Sequence, residues 1–91
     1  MEISYDILPE HMRSGARLYI EEGILPGSFL TAVLENNLSE AVLRADETNL
    51  PRLADFAHWL IWNVPSGSWG SKSEIREWAA HDGMIGKEST I

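Results

Sequence analysis

The apolar residues of this chain recur every three or four positions, and Pro, Gly or Asn interrupts each run. Such spacing places side chains on one face of an α-helix, whereas a half-buried strand would need strict alternation. No stretch of the chain alternates in that way. The pattern therefore predicts an all-α fold, a small orthogonal bundle of about five short helices.

Proline, glycine and asparagine residues indicate the ends of the first two helices. Pro9 precedes the first helix and Gly23 follows it, which matches the preference for Pro at the beginning of a helix and Gly after its end. A second helix is expected to begin near Ser28, whose hydroxyl can cap it. Asn36 and Asn37 end this helix, because Asn tolerates the left-handed backbone conformation.

Two further helices are expected in the middle of the chain. A short third helix follows Ser39 and ends near Asp46. The fourth begins with Thr48 or Asn49 as its cap and has Pro51 in its first turn, where a missing N–H costs little. It is apolar around most of its circumference, which is typical of a central helix that others surround. Its apolar residues are Leu53, Phe56, Ala57, Trp59, Leu60, Ile61 and Val64.

A loop of Pro, Gly and Ser residues at 65–71 separates this central helix from a last one. Ser71 and Glu74 have the spacing of a capping box, which predicts a helix that continues to about Ala80. Gly83 is expected to end it, because glycine commonly follows the last turn of a helix.

Length and composition bound the number of domains. With 91 residues, of which 44% are hydrophobic, the chain can build one core and is too short for two. We therefore expect a single all-α domain over residues 1–91. Residues 1–8 and 84–91 are expected to be frayed tails, since termini are often poorly ordered unless they dock onto the body.

Charge and cysteine content exclude several classes of function. The chain has 14 acidic and 7 basic residues, a net charge of −7 and no cysteine. The missing cysteines exclude disulfides, thiolate zinc sites and thiol catalysis, and a reducing cytoplasm is the expected location. The negative charge disfavours direct binding to nucleic acid or to an anionic membrane. We expect neither a targeting segment nor a membrane-spanning segment, since the N-terminus is acidic and the apolar runs are short.

Histidines are candidates for acid–base chemistry, because imidazole titrates near neutrality. Asp55, His58 and Trp62 share one face of the fourth predicted helix, and a carboxylate beside an imidazole can orient a general base. No Ser or Thr nucleophile lies near this pair in the sequence, so a surface ion pair without chemistry is the favoured interpretation. His11 and His81 are isolated from the other histidine. Each has an acidic neighbour in the sequence, Glu10 or Asp82, but consecutive residues point to different sides of a helix and cannot bind one metal ion together. We therefore expect no enzymatic activity, no metal and no cofactor.

Four tryptophans are more than a core of this size buries easily. Trp62 is the first candidate for exposure, and lateral packing against the last helix is the alternative. Trp69, in the 65–71 loop, either packs back onto the body or anchors an interface. Because tryptophan is frequent among residues that dominate binding energy, the predicted interface consists of Trp62, Trp69, His58 and Asp55.

The segment from LPEHM to WGS resembles a family of short, functionally uncharacterised proteins from bacteriophages and prophages. The pieces that carry the resemblance are LPEHM, YIEEGI, PGSFLTAVLEN, the AD-x-x-N step and WGS. No activity is attached to that family, so no site residue is carried over from it. The resemblance implies a protein of the bacterial host cytoplasm with an accessory or counter-defence role, which binds a host factor or sequesters a small signal molecule.

Protein–protein interaction is the function that these observations favour: a non-enzymatic phage-type module whose partner is a host or viral protein, or a second copy in a homo-oligomer. One alternative is a small nucleotide bound at an oligomer interface, with Trp62 and Trp69 for stacking and Arg44 or Arg52 for phosphate. Another is mimicry of nucleic acid by the acidic surface. Mimicry usually needs denser rows of carboxylates than this chain has.

Overall fold

A computed structural model describes residues 3–88 and confirms an all-α fold, with no strand in that part of the chain. A 3-10 turn at Leu50–Arg52 leads directly into the fourth helix. The six helices are α1 (Glu10–Glu22), α2 (Ser28–Leu34), α3 (Leu38–Arg44), α4 (Leu53–Trp62), α5 (Lys72–Ala80) and α6 (Gly83–Glu88).

The bounds of α1 confirm the prediction from Pro9 and Gly23. Pro9 directly precedes the helix, and Gly23 follows it in the left-handed conformation, with a φ of 74°. The N–H groups of Gly23 and Ile24 donate to the carbonyls of Tyr19 and Leu18, at 2.9 and 3.3 Å. These bonds satisfy carbonyls at the end of α1 that have no partner within the helix.

The predicted serine cap of α2 is wrong, and α3 is capped by an asparagine. Gly27, not Ser28, occupies the cap position of α2, and no side chain caps that helix. At α3 the cap is Asn37, whose Oδ1 accepts a hydrogen bond from the N–H of Glu40 at 3.3 Å. Ser39, which was expected to precede the helix, lies inside it, because α3 begins at Leu38.

The cap predicted before α4 is correct in position only, since Asn49 occupies the cap position of the 3-10 turn but its side chain makes no capping hydrogen bond. The Oδ1 atom of Asp46 accepts hydrogen bonds from the N–H groups of Thr48, at 2.9 Å, and of Asn49, at 2.7 Å. Asp46 therefore holds the turn that Thr48 or Asn49 was expected to hold, because its carboxylate can accept from both groups at once. Pro51 lies in the 3-10 turn.

The capping prediction for α5 is confirmed, but the helix is followed by another one. The Oγ atom of Ser71 accepts a hydrogen bond from the N–H of Glu74 at 3.3 Å. Gly83, which was expected to end the last helix, instead begins α6. A Cβ atom on Gly83 would lie 2.6 Å from the nitrogen of Gly23 and 2.8 Å from the oxygen of Ile20. Only glycine permits this close approach of α6 to the end of α1.

The core joins the helices through buried aromatic residues. The indole N–H of Trp78 donates to the carbonyl oxygens of Tyr19 and Ile20, at 3.2 and 3.1 Å. The hydroxyl of Tyr19 in turn donates to the carbonyl oxygen of Ser68 at 2.7 Å. The largest buried side chains of the core are Trp59, Trp78, Tyr19 and Phe56.

Side chains from three helical segments hold the N-terminal segment 3–9 against the body. Trp59 Nε1 donates to Ser4 O at 3.0 Å, Arg13 Nη2 to Asp6 O at 2.9 Å and Arg52 Nη2 to Ile7 O at 2.6 Å. Of the two expected tails, residues 3–8 are thus hydrogen-bonded and 84–88 belong to α6. Residues 1, 2 and 89–91 lie outside the described part.

Candidate interaction surface

Helix α4 is more apolar than its burial requires. Phe56, Trp59 and Leu60 are buried, in agreement with a central position. The expectation that other helices surround α4 is nevertheless wrong, since Ile61 is 60% exposed and Trp62 is 74% exposed. Two short helices, α2 and α3, flank α4 on one side without closing over it.

An apolar groove lies between α3 and α4, and we call it the α3–α4 groove. Its cleft has a volume of about 90 Å3. Asn36 and Asn37 contribute polar atoms at one end, and the remainder of the lining is apolar. The apolar residues that line it include Val33, Leu38, Ala41, Leu53, Ala57 and Leu60.

Exposed aliphatic side chains extend the α3–α4 groove on both sides. Leu38 is 71% exposed and Val42, one helical turn further along α3, is 43% exposed. On α4, Ile61 lies one turn beyond the groove residue Ala57. Residues four apart are neighbours on a helix surface, so each pair presents a continuous apolar strip. A concave apolar surface with an exposed aliphatic border is typical of a site for another molecule.

The predicted Asp55–His58 pair takes a different arrangement in the structure. Asp55 Oδ2 accepts a hydrogen bond from Arg52 Nε at 3.0 Å, within one turn of the same helical segment. His58 is exposed on the face that also carries Asp55. Because the carboxylate is oriented towards a guanidinium, it does not orient the imidazole for proton transfer. Exposed ion pairs of this kind contribute little to stability.

The two tryptophans of the predicted interface lie in different environments. Trp62 is exposed, as expected, and at 100° per residue it projects about 140° around α4 from Ala57. It therefore lies beside His58 on another face than the α3–α4 groove. Trp69 is half-buried and packs against the core. No hydrogen bond or ring contact joins the two within residues 3–88, and their role in an interface stays a prediction.

The shifted pKa values belong to structural groups. Burial raises the pKa of Tyr19 well above its usual range, and burial together with the hydrogen bond to Glu21 does the same for Tyr5. The hydrogen bond from the N–H of Asn49, followed by that from His11, lowers the pKa of Asp46. None of these groups lines the α3–α4 groove, so the groove has no titrating group prepared for catalysis.

The residues of the candidate surface that the sequence did not indicate are the exposed aliphatic ones on α3. Leu38 and Val42 lie one helical turn apart on α3, and the apolar face of a short helix usually packs into the core. The available signal was that apolar residues occur on more than one face of α3, so that one core cannot bury all of them. The helix is seven residues long, and Leu38 and Leu43 are both exposed.

Metal sites, membrane spans and relatives give no further lead. Within residues 3–88, no three His, Asp or Glu side chains converge as ligands for a metal ion. None of the helices in this described part is long and apolar enough to cross a bilayer. In comparisons with known proteins, no family model, no curated protein and no solved structure matched the chain. Its activity must therefore be inferred from its own surface.

Proposed function

We propose that this chain is a non-enzymatic protein-binding module that holds an amphipathic helix of a partner protein in the α3–α4 groove. The observation that carries this proposal is the exposure of three aliphatic side chains: Leu38 lines the groove, and Val42 and Ile61 each lie one helical turn from a groove residue. Grooves between two helices accept a third helix through apolar side chains that repeat every three or four residues.

The size of the groove favours a side chain over a small molecule. Sites for drug-sized ligands usually measure about 300 Å3 or more, whereas this cleft measures about 90 Å3. Such a volume accepts an aliphatic side chain of a partner. The remaining contacts would then come from the exposed border residues.

Charge favours a basic partner over a second copy of the chain. The net charge is −7, and a second copy has the same charge. Two of the few cations are already paired, Arg44 with Glu40 at 2.8 Å and Arg52 with Asp55 at 3.0 Å. A helix with Leu or Ile on one face and Lys or Arg on the other is complementary both to the apolar groove and to the negative charge of the chain.

The resemblance to phage and prophage proteins supplies a biological setting for this proposal. It implies the cytoplasm of a bacterial host as the location and a host protein as the partner. Occupation of a basic helix of a host defence factor would then be the counter-defence role, because the groove would cover a surface that the factor needs.

Titration of the 15N-labelled chain with a synthetic amphipathic helix of Leu and Lys residues tests the proposal. The matched peptide has Glu in place of every Lys. We expect saturable shifts of the amide signals of Leu38, Ala57 and Ile61 with the Lys peptide, and much weaker ones with the Glu peptide.

Two substitutions of similarly exposed isoleucines distinguish binding in the groove from non-specific apolar contact. Ile61→Ser should weaken binding of the Lys peptide roughly tenfold, whereas Ile24→Ser, at 51% exposure outside the groove, should leave it unchanged. Equal affinities of the two variants, or no binding of the Lys peptide, would contradict the proposal. If the wild type sediments as a dimer in ultracentrifugation and Ile61→Ser sediments as a monomer, the occupant of the groove is a second copy of the chain and not a helix of a partner.

A further inference from the structure

The floor and the rim of the α3–α4 groove differ in burial. Four lining residues are at most 8% exposed and form the floor: Val33, Ala41, Phe56 and Leu60. Two apolar lining residues are exposed and lie at the rim, Leu38 on α3 and Ala57 on α4. A buried apolar floor below an exposed rim makes the cleft a hole that is open to solvent, so a side chain of a partner can enter it.

Each of the two helices contributes one alanine to the hole, Ala41 from α3 and Ala57 from α4. Both side chains end at the β-carbon, whereas every other apolar residue of the lining is larger. When helices pack, a side chain of one helix enters a hole between residues of the facing helix. Ala41 is 2% exposed and belongs to the floor, while Ala57 is exposed. A larger side chain at position 57 would therefore cover the mouth of the hole.

The volume of the hole decides which side chain fits. The cleft measures about 90 Å3, whereas an apolar cavity that binds benzene measures about 150 Å3. A phenyl or indole ring is therefore too large to enter completely. The side chain of Leu or Ile is smaller than benzene and has no polar atom that would lose its hydrogen bonds to water in the hole.

We propose that Ala57 is the residue by which the groove selects its partner, because its methyl group leaves the hole open to one Leu or Ile side chain of the bound helix. This role of Ala57 rests on the proposed function, since it requires a helix in the groove. It adds a single aliphatic anchor to that helix. Apolar side chains that fill a pocket at the centre of an interface supply most of the binding energy.

Replacement of each Leu of the Lys peptide by Ala, one at a time, tests for a single anchor. We expect one replacement to weaken binding to the wild-type chain at least about tenfold, and each of the others to weaken it less than about threefold. Trp at the anchor position should also bind more weakly than Leu, because its ring does not enter the hole. Equal losses for all the leucines, or tighter binding of the Trp peptide, would overturn the proposal.

Two matched alanine-to-leucine substitutions test the role of Ala57. Ala57 and Ala80 are both exposed helical residues, and Ala80 lies on α5 outside the groove. Since Leu favours a helix nearly as well as Ala does, both variants should keep the helical dichroism of the wild type. Ala57→Leu should weaken binding of the Lys peptide at least about tenfold, whereas Ala80→Leu should leave it unchanged. Undiminished binding by Ala57→Leu, or equal losses in both variants, would contradict the role of Ala57.

Titration of both variants with the anchor peptides distinguishes a filled hole from an indirect effect on the fold. The wild type and Ala80→Leu should prefer Leu over Ala at the anchor position at least about tenfold, whereas Ala57→Leu should bind the two peptides with nearly equal affinity. If Ala57→Leu keeps the preference for Leu, the role of Ala57 is wrong and the proposed function stands. If the wild type binds no Lys peptide, both are wrong.

Discussion

Asp46 shows how one carboxylate couples local structure to pH. It accepts backbone hydrogen bonds from Thr48 and Asn49, and a further bond from His11. These bonds favour the charged carboxylate, so its pKa is lower in the folded than in the unfolded chain, with the bond from Asn49 as the largest cause. A carboxyl group with a lowered pKa stabilises the fold above its ordinary pKa, and this stabilisation is lost as the pH falls through the lowered value.

Replacement of Asp46 by Asn should therefore flatten the acid limb of the stability profile. The amide oxygen of Asn can still accept from the backbone, but it does not titrate. Urea denaturation at pH 7 and at pH 3 measures the effect: the wild type should lose more free energy of unfolding than Asp46→Asn between the two values. Equal losses of free energy of unfolding in the wild type and in Asp46→Asn would show that other carboxyl groups dominate the pH dependence of stability.

The predicted role of Trp62 as an interface anchor can be tested without disturbing the core. Since it is 74% exposed, Trp62→Ala should leave the helical dichroism and the melting temperature nearly unchanged. If the partner extends around α4 to the face of Asp55 and His58, affinity should fall by about 2 kcal/mol, roughly thirtyfold. Unchanged affinity in the same titration would confine the partner to the α3–α4 groove.

At the scale of elements, local signals predicted the helices and long-range contacts decided the rest. The end of α1 could be predicted from Gly23 and the beginning of α5 from Ser71, because each residue caps its helix through hydrogen bonds within one turn. Helix α6 could not be predicted, since its sequence GMIGKE has two glycines and low helix propensity. It exists because Gly83 lets it approach α1, and that contact spans 60 positions of sequence, from Gly23 to Gly83.

Two glycine-to-alanine substitutions should have opposite effects on stability. Gly83→Ala forces a side chain into a left-handed backbone with a φ of 63° and against Gly23, so we expect a loss of at least about 2 kcal/mol. Gly15→Ala lies inside α1 with no heavy atom within 4 Å of the added Cβ, so a gain of about 0.5–1 kcal/mol is expected. Thermal denaturation of both variants checks the pair, and a gain for Gly83→Ala would refute the close contact.

For the molecule as a whole, small size explains why the sequence indicates exposed apolar surface but does not show where on the molecule it lies. A domain of this length buries a limited share of its surface, and the periodicity of α4 reveals apolar faces without revealing which of them a neighbour covers. Trp62 could be chosen as exposed because it stands opposite the main stripe. Ile61 could not, since it belongs to the same apolar stripe as Leu60, which is buried.

The net charge predicts opposite responses of folding and binding to salt. Screening reduces repulsion among the acidic residues, so the melting temperature should rise by a few degrees between about 50 and 500 mM salt. Binding of a basic helix should weaken over the same range, because its attraction to the chain is screened. Both quantities can be followed by dichroism and peptide titration, and a rise in affinity would show that apolar contact alone drives binding.

Two positions of the N-terminal segment, Ser4 and Asp6, should tolerate substitution. Trp59 and Arg13 hold the segment by donating to carbonyl oxygens of Ser4 and Asp6, and every amino acid has such an oxygen. Exchange of the side chains at these two exposed positions leaves both bonds in place. The path of this segment therefore depends on the indole of Trp59 and the guanidinium of Arg13 rather than on the side chains at positions 4 and 6.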